Sequence, residues 1–313
     1  MLSTSRLSRL GVAALGIGLA TTLAACGSSD PTAAGDSSEG GGGETVVVGS
    51  FAFPESEILG EIYAQALEAN GVDVETRFNI GPRQQTIPAL QDGSINLMPE
   101  YNGNLLAYYD PEYTERTTED VDAALVDAVA ADNLEILDSA EAEDKDAYVV
   151  TRATADAAGL TSIGDLAGFT PFTLGANPQM AELGYGIPGL ESFYGVNVAD
   201  VTFLPIEDFG GPDTVKALVD DTVQVADIFT TSPAIRSEDL VVLEDPENMI
   251  SSQNVIPLIA KSAVTDQIRE TLNSISAELT TDDLIALRER VEGDEKASAS
   301  TAATDWLEDK GLL

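Results

Sequence analysis

From Thr45 onward, short β-branched runs alternate with longer stretches whose apolar residues recur every three or four positions. Glu44-Thr45-Val46-Val47-Val48-Gly49 is a β-branched run and reads as a buried strand. Pro54-Glu55-Ser56-Glu57 then opens a helix, since proline fits the first helical position and acids suit the first turn. Ile58, Leu59, Ile62, Ala66 and Leu67 form its apolar stripe, and Asn70-Gly71 ends it. Val72 to Ile80 reads as a second strand, Gln84 to Gln91 as a short helix, and Ile95 to Met98 as a third strand. Strand–helix–strand units of this kind imply parallel pairing with right-handed crossovers.

The same alternation returns further on. Ala147 to Thr151, Phe169 to Leu174, Val201 to Leu204, Val223 to Ile228 and Val255 to Ala260 are strand-like. Thr161 to Leu166, Leu190 to Tyr194 and Pro212 to Val219 read as helical. The end is helical throughout, over Ala263 to Leu279, Asp282 to Glu292 and Thr301 to Leu307. Ile268, Leu272 and Ile275 there share one face. Two α/β bodies with a helical tail predict two lobes facing across a cleft. Ligands of open α/β sheets gather at the carboxyl ends of strands, so the cleft is the expected site.

The N-terminus follows a different pattern. Arg6 and Arg9 precede an apolar run, Leu10 to Leu23, which falls short of the ~20 residues of a membrane-spanning helix. This reads as a secretory signal over residues 1–25. The sequence Leu23-Ala24-Ala25-Cys26 resembles a bacterial lipobox, which makes Cys26 the expected lipidated N-terminus; an ordinary cleavage site beside a small buried thiol is the plainer reading. Residues 26–43 are rich in Gly and Ser and end in Gly40-Gly41-Gly42-Gly43, a composition that suits a flexible tether.

Composition narrows the chemistry. The chain has no histidine and one cysteine, which excludes histidine triads, His/Cys zinc sites and internal disulfides. It carries 54 acidic against 15 basic residues, spread along the body, so phosphate contacts to nucleic acid are not expected. A solvated surface accounts for this acidity, and the field would also enrich cationic solutes nearby. No Walker motif is present, so ATP hydrolysis is not expected.

Three segments carry more specific information. They are Gly49-Ser50-Phe51-Ala52-Phe53-Pro54-Glu55-Ser56, the run Pro88 to Asn104 containing Pro99-Glu100-Tyr101, and Gly210-Gly211-Pro212 continuing through Asp227-Ile228-Phe229-Thr230-Thr231. Together they resemble the substrate-binding lipoproteins of osmoprotectant ABC transporters, over about Val46 to Leu313. The resemblance implies a two-lobed α/β periplasmic-binding-protein fold of type II. Lobe one would comprise residues 44–146 plus 255–313, and lobe two residues 147–254. It also implies a monomeric, non-enzymatic receptor without cofactor or metal. That receptor would be lipid-anchored outside the cell membrane and deliver a quaternary amine to an ABC permease.

A quaternary ammonium has charge but no N–H donor, so aromatic faces must hold it, at about 2 kcal/mol per desolvated contact. The resemblance places Tyr101, Tyr148, Phe229 and Tyr185 at such positions, with Phe51 and Asn104 beside them. Each also has a packing reading: Tyr148 opens an apolar strand, Phe229 ends one, and one of Phe51 and Phe53 is expected beneath the helix that starts at Pro54. Many relatives have a lysine where Phe51 stands, an arginine between Gly175 and Pro188, and a threonine where Asn104 stands. Those groups serve a betaine carboxylate, and their replacement leaves room for choline. Arg83 and Arg152 are the candidate substitutes, each with a structural reading beside it. Asp227, inside a buried strand, needs a partner or a ligand charge to offset. The competing functions are a receptor for another solute such as an amino acid, a protein-binding scaffold, and an exported carboxylate-dependent hydrolase using Glu55, Glu57 or Glu100.

Overall fold

The computed structural model describes residues 45–313. The expected signal, the tether and Cys26 lie outside the described residues. The chain opens with β1 (Val46–Phe51), α1 (Pro54–Ala69), β2 (Val74–Gly81), α2 (Arg83–Gln91) and β3 (Leu97–Tyr101). β1 pairs in parallel with both β2 and β3, as the strand–helix–strand pattern requires. β1 and β3 are the buried centre of the sheet. In α1 the stripe residues Ile58, Leu59, Ile62, Ala66 and Leu67 are all buried. Gly71, at φ 80°, takes the left-handed turn that lets the chain leave α1.

The stretch after β3 holds elements that the apolar pattern leaves unmarked: α3 (Asn102–Tyr109), α4 (Thr118–Ala130) and β4 (Leu134–Ile136). The chain then passes to a second sheet through β5 (Tyr148–Thr151), α5 (Arg152–Ala158), β6 (Phe172–Ala176), α6 (Ile187–Tyr194), β7 (Val201–Pro205), α7 (Pro212–Val219), β8 (Val225–Asp227), α8 (Ala234–Ser237) and β9 (Leu240–Val242). The strand expected from Phe169 starts at Phe172. Phe169 caps a 3-10 turn, and Pro171 has no N–H to give to a ladder. The helical element expected over Thr161 to Leu166 is that 3-10 turn, Ile163–Gly168, opened by a capping box between Ser162 and Asp165. The chain returns through β10 (Val255–Ala260) and ends in α9 (Asp266–Glu278), α10 (Thr281–Glu292) and α11 (Ala299–Lys310).

The two sheets have equivalent strand orders, β2-β1-β3-β10-β4 and β7-β6-β8-β5-β9. In each, the strand that has just crossed from the other lobe, β10 or β5, runs antiparallel to both neighbours. The two lobes are therefore doubly linked. The fold is the two-lobed α/β arrangement expected from the sequence.

Side-chain alternation sets where each core lies. In β5, Tyr148 and Val150 enter one apolar cluster with Leu174 and Met180, while Ala147 and Val149 enter the opposite one with Leu218 and Val223. Lobe one has a single larger core, in which α1 packs against α9, α10 and α11. The apolar face Ile268, Leu272 and Ile275 closes that core from the C-terminal side.

The two crossing segments lie side by side. Ala140 N–H bonds the Val255 carbonyl at 2.9 Å, Val255 N–H bonds Ala142 at 2.9 Å, and Asp144 N–H bonds Gln253 at 3.2 Å. Thr230, just after β8, joins them: its N–H donates to the Lys145 carbonyl at 3.0 Å and its hydroxyl to the Glu143 carbonyl at 2.8 Å. Gly103 lets α3 approach this pair, because a Cβ there would lie 2.2 Å from the Ser252 carbonyl oxygen.

Candidate functional site

The carboxyl ends of β1 and β3 face the segment after β8 across three adjoining cavities, all of which touch Phe229. The cavity on the lobe-one side, about 690 Å³, is walled by Phe51, Phe53 and Tyr101, with Asn104 at its rim. Phe51 and Phe53 stack with centroids 5.6 Å apart and planes at 11°, and Phe53 stacks on Tyr101 at 6.3 Å and 26°. β1 and α1 set this wall. Phe51 N–H donates to the Ser56 hydroxyl at 3.0 Å, and Pro54 begins α1, so the short link turns Phe53 outward to 38 % exposure. Phe51 is the member that packs beneath, at 5 % exposure.

Tyr101 is held by carboxylates. Its hydroxyl donates to Glu55 Oε1 at 2.5 Å, and its N–H donates to Glu100 Oε2 at 3.0 Å. Glu100 is fully buried and takes both ends of the Arg83 guanidinium, at 2.8 and 2.7 Å. Arg83 also lies 5.2 Å from the Phe51 ring centre. It lines the cavity, but its charge is engaged by Glu100, which favours the structural reading. Arg152 pairs with Asp239 on the surface at 3.5 Å and is half-exposed, away from the cleft.

Glu55, in the first turn of α1, is 2 % exposed. Its Oε2 has no hydrogen-bond partner among the described residues; Arg288 of α10 approaches it to 3.8 Å. Burial, reinforced by the Asp144 charge, pushes the Glu55 carboxyl up to about 8. Asp144 accepts from the Thr231 hydroxyl at 2.8 Å, and burial raises it too. Arg288 donates to that hydroxyl at 2.8 Å and to Glu292 at 2.7 and 3.3 Å. Arg288 thus ties lobe one to the segment after β8. The α10 pattern marks it only as a polar position, and no local signal shows that it reaches the cleft.

The second cavity, about 560 Å³, lies between Asn104 to Arg116 of lobe one and Leu183 to Tyr185 of lobe two. Tyr185 and Asp146 line it, and Phe229 and Asp144 are shared with the aromatic cavity. Burial raises the carboxyls of Asp146 and Asp227, which lie against each other, and Asp146 also meets the Tyr185 hydroxyl. Asp227 Oδ1 has no partner among the described residues. Tyr148 lies behind this wall rather than on it. It is fully buried in the second lobe's core, and its hydroxyl donates to the Tyr185 carbonyl at 2.9 Å. The geometry therefore favours its packing reading and gives it a supporting contact to Tyr185.

The third cavity, about 750 Å³, opens on lobe two beside Phe209 and Arg288. Gly210, at φ 69°, lets this loop lie on the end of β8, since a Cβ there would be 2.9 Å from the Ile228 Cα. Phe209 is 63 % exposed; in the sequence only the Gly-Gly-Pro turn beside it carries a local signal. Of the acids considered for hydrolysis, Glu57 accepts from exposed Asn79 at 2.8 Å and Glu100 is locked by Arg83. The described residues hold no cluster of His, Cys, Asp and Glu suited to a metal ion.

These features agree with comparison to known proteins. Residues 44–309 match the family OpuAC, the substrate-binding domain of ABC-type glycine betaine transport systems. The chain belongs to this family. The glycine betaine-binding protein YehZ of Escherichia coli K12 is 26% identical over 285 residues, covering 85% of this chain and 90% of that protein. The crystal structure of a glycine betaine/carnitine/choline ABC transporter protein superposes with a TM-score of 0.77 at 20% identity, covering 85% of this chain and 99% of that one. Apo YehZ from Escherichia coli gives a TM-score of 0.74 at 25% identity, covering 86% and 100%. The family's members are transporter binding proteins, and this chain has their two-lobed architecture. No helix among the described residues is long and apolar enough to cross a membrane.

Proposed function

We propose that this protein is an extracytoplasmic receptor, lipid-anchored through Cys26, that captures a quaternary ammonium osmolyte between its lobes and delivers it to an ABC permease. The observation that carries the reading is the stacked wall of Phe51, Phe53 and Tyr101 in a cleft that Phe229 and Tyr185 face from the other lobe. Such rings are the groups able to attract a cation that has no hydrogen to donate. Lobe one is taken as residues 44–146 plus 255–313 and lobe two as 147–254, hinged on the paired crossings. Closure about that hinge would bring Phe229 and Tyr185 toward the wall. Asn104 offers its side chain at the rim, while its N–H is already given to Gln253 at 2.9 Å.

A thermal-shift titration with choline, glycine betaine, carnitine, proline and glycine tests this. A ligand that binds the folded state at a hundred times its Kd adds about 2.7 kcal/mol, a rise of several degrees in Tm. We expect that rise with quaternary amines and not with glycine. Tyr101→Ala should weaken their binding by about tenfold or more. A flat Tm with every quaternary amine at millimolar concentration would remove the reading.

A further inference from the structure

The cleft contains charged groups of both signs, and the way they are paired decides what kind of ligand they leave room for. Arg83 is bound at both ends by Glu100, and Arg288 by Glu292 and Thr231. Lys145 pairs with Glu143 at 2.8 Å. Arg116 has no carboxylate partner among the described residues. It donates to the Met249 carbonyl at 2.6 Å and covers the Phe193 ring at 4.7 Å. Each cationic side chain that lines the aromatic and second cavities thus has a partner, a carboxylate for Arg83, Arg288 and Lys145 and a carbonyl and a ring for Arg116.

The carboxylates are not balanced in the same way. Asp146 lines these cavities without a cation of its own, and Glu55 and Asp144 share only Arg288, which Glu292 already holds. Glu55 gives the sharpest evidence. It is 2 % exposed, it lines the aromatic cavity, and its Oε2 has no hydrogen-bond partner, Arg288 stopping at 3.8 Å. A buried carboxylate left in this state gains from a cation brought beside it and loses from a second anion.

From this charge arrangement we infer that the cleft selects quaternary amines that carry no carboxylate, such as choline, over zwitterions such as glycine betaine, with Glu55 as the specificity-determining residue. The inference rests on the quaternary-amine reading above and narrows it. Tyr101 couples the two features of the site, since its ring forms the wall and its hydroxyl binds Glu55. An entering cation therefore meets an aromatic face backed by a carboxyl group. Burial holds a proton on Glu55; a cation displaces it, whereas a ligand carboxylate does not.

Calorimetric titration of the protein with choline, tetramethylammonium and glycine betaine tests the inference. A cation gains the attraction of the carboxylate it uncovers, whereas a zwitterion's own carboxylate cancels that gain, and an interaction of this kind at protein-interior screening is worth at least about tenfold in affinity. Choline and tetramethylammonium should therefore bind at least about tenfold more tightly than betaine. Glu55→Gln, with folding checked by its melting curve, should weaken choline and shrink the choline-to-betaine ratio several-fold. The wild-type ratio decides the matter even if that variant does not fold. Betaine binding as tightly as choline overturns the inference while leaving the receptor reading intact. So does betaine binding more tightly and losing that advantage in Arg116→Gln. Binding of no quaternary amine overturns both.

Discussion

Glu55 should make the protein progressively less stable as pH rises from about 5 to 8, and Glu55→Gln should remove that loss. The sign follows from proton counting. In the unfolded chain the group ionises near 4.5; in the fold burial moves it to about 8. Below 4.5 both states hold the proton, so Glu55 adds no pH dependence there. Between the two values the folded state holds a proton that the unfolded state has released, and stability falls with pH. At ~1.4 kcal/mol for each tenfold change in the proton equilibrium, the full difference is on the order of 5 kcal/mol. Structural relaxation and water entry reduce such penalties, so about 2–3 kcal/mol is the expected measured loss. The buried carboxyls of Asp144, Asp146 and Asp227 are raised for the same reason and act in the same direction. The quantity to read is therefore the difference between wild type and Glu55→Gln. Glutamine still accepts from the Tyr101 hydroxyl, and Glu292 still holds Arg288, so the variant isolates the charge. Urea unfolding at about pH 5 and about pH 8.5 measures it. Parallel pH curves for the two proteins would mean that Glu55 ionises in the fold as it does in water, and the argument from burial would fail.

Gly103→Ala should cost about 2 kcal/mol or more, because its Cβ would press into the Ser252 carbonyl and push α3 off the second crossing; a lowered urea midpoint checks it. Cys26→Ser should release the protein from the membrane fraction into the medium without changing choline affinity measured on the released protein, and retention in the membrane fraction would remove the lipid-anchor reading.

Much of the fold was legible because its central strands are buried on both faces and therefore read as unbroken apolar runs. The helical tail was legible from its amphipathic spacing. The segments between were not. β4 and β9 are three residues long, and α3 carries apolar residues on several sides, so periodicity gives them no signature. The aromatic wall was partly legible: Phe51, Tyr101, Phe229 and Tyr185 lie at strand ends or loops that line the cleft. Tyr148 could not be assigned from sequence, because period-two alternation shows that it faces one side of its sheet but not whether that side is core or cleft.

The sequence by itself determined the alternation of strands and helices, the absence of histidine chemistry and the family likeness, since these follow from local pattern and composition. The tertiary structure decided the charge balance of the cleft. Glu55 and Arg288 lie on different helices far apart in the chain, and Arg116, in the loop before α4, is far in sequence from the Phe193 ring of α6 that it covers. Whether a charge is free or engaged depends on which groups the fold brings within hydrogen-bond reach, and that is a property of distance in space rather than of position in the chain.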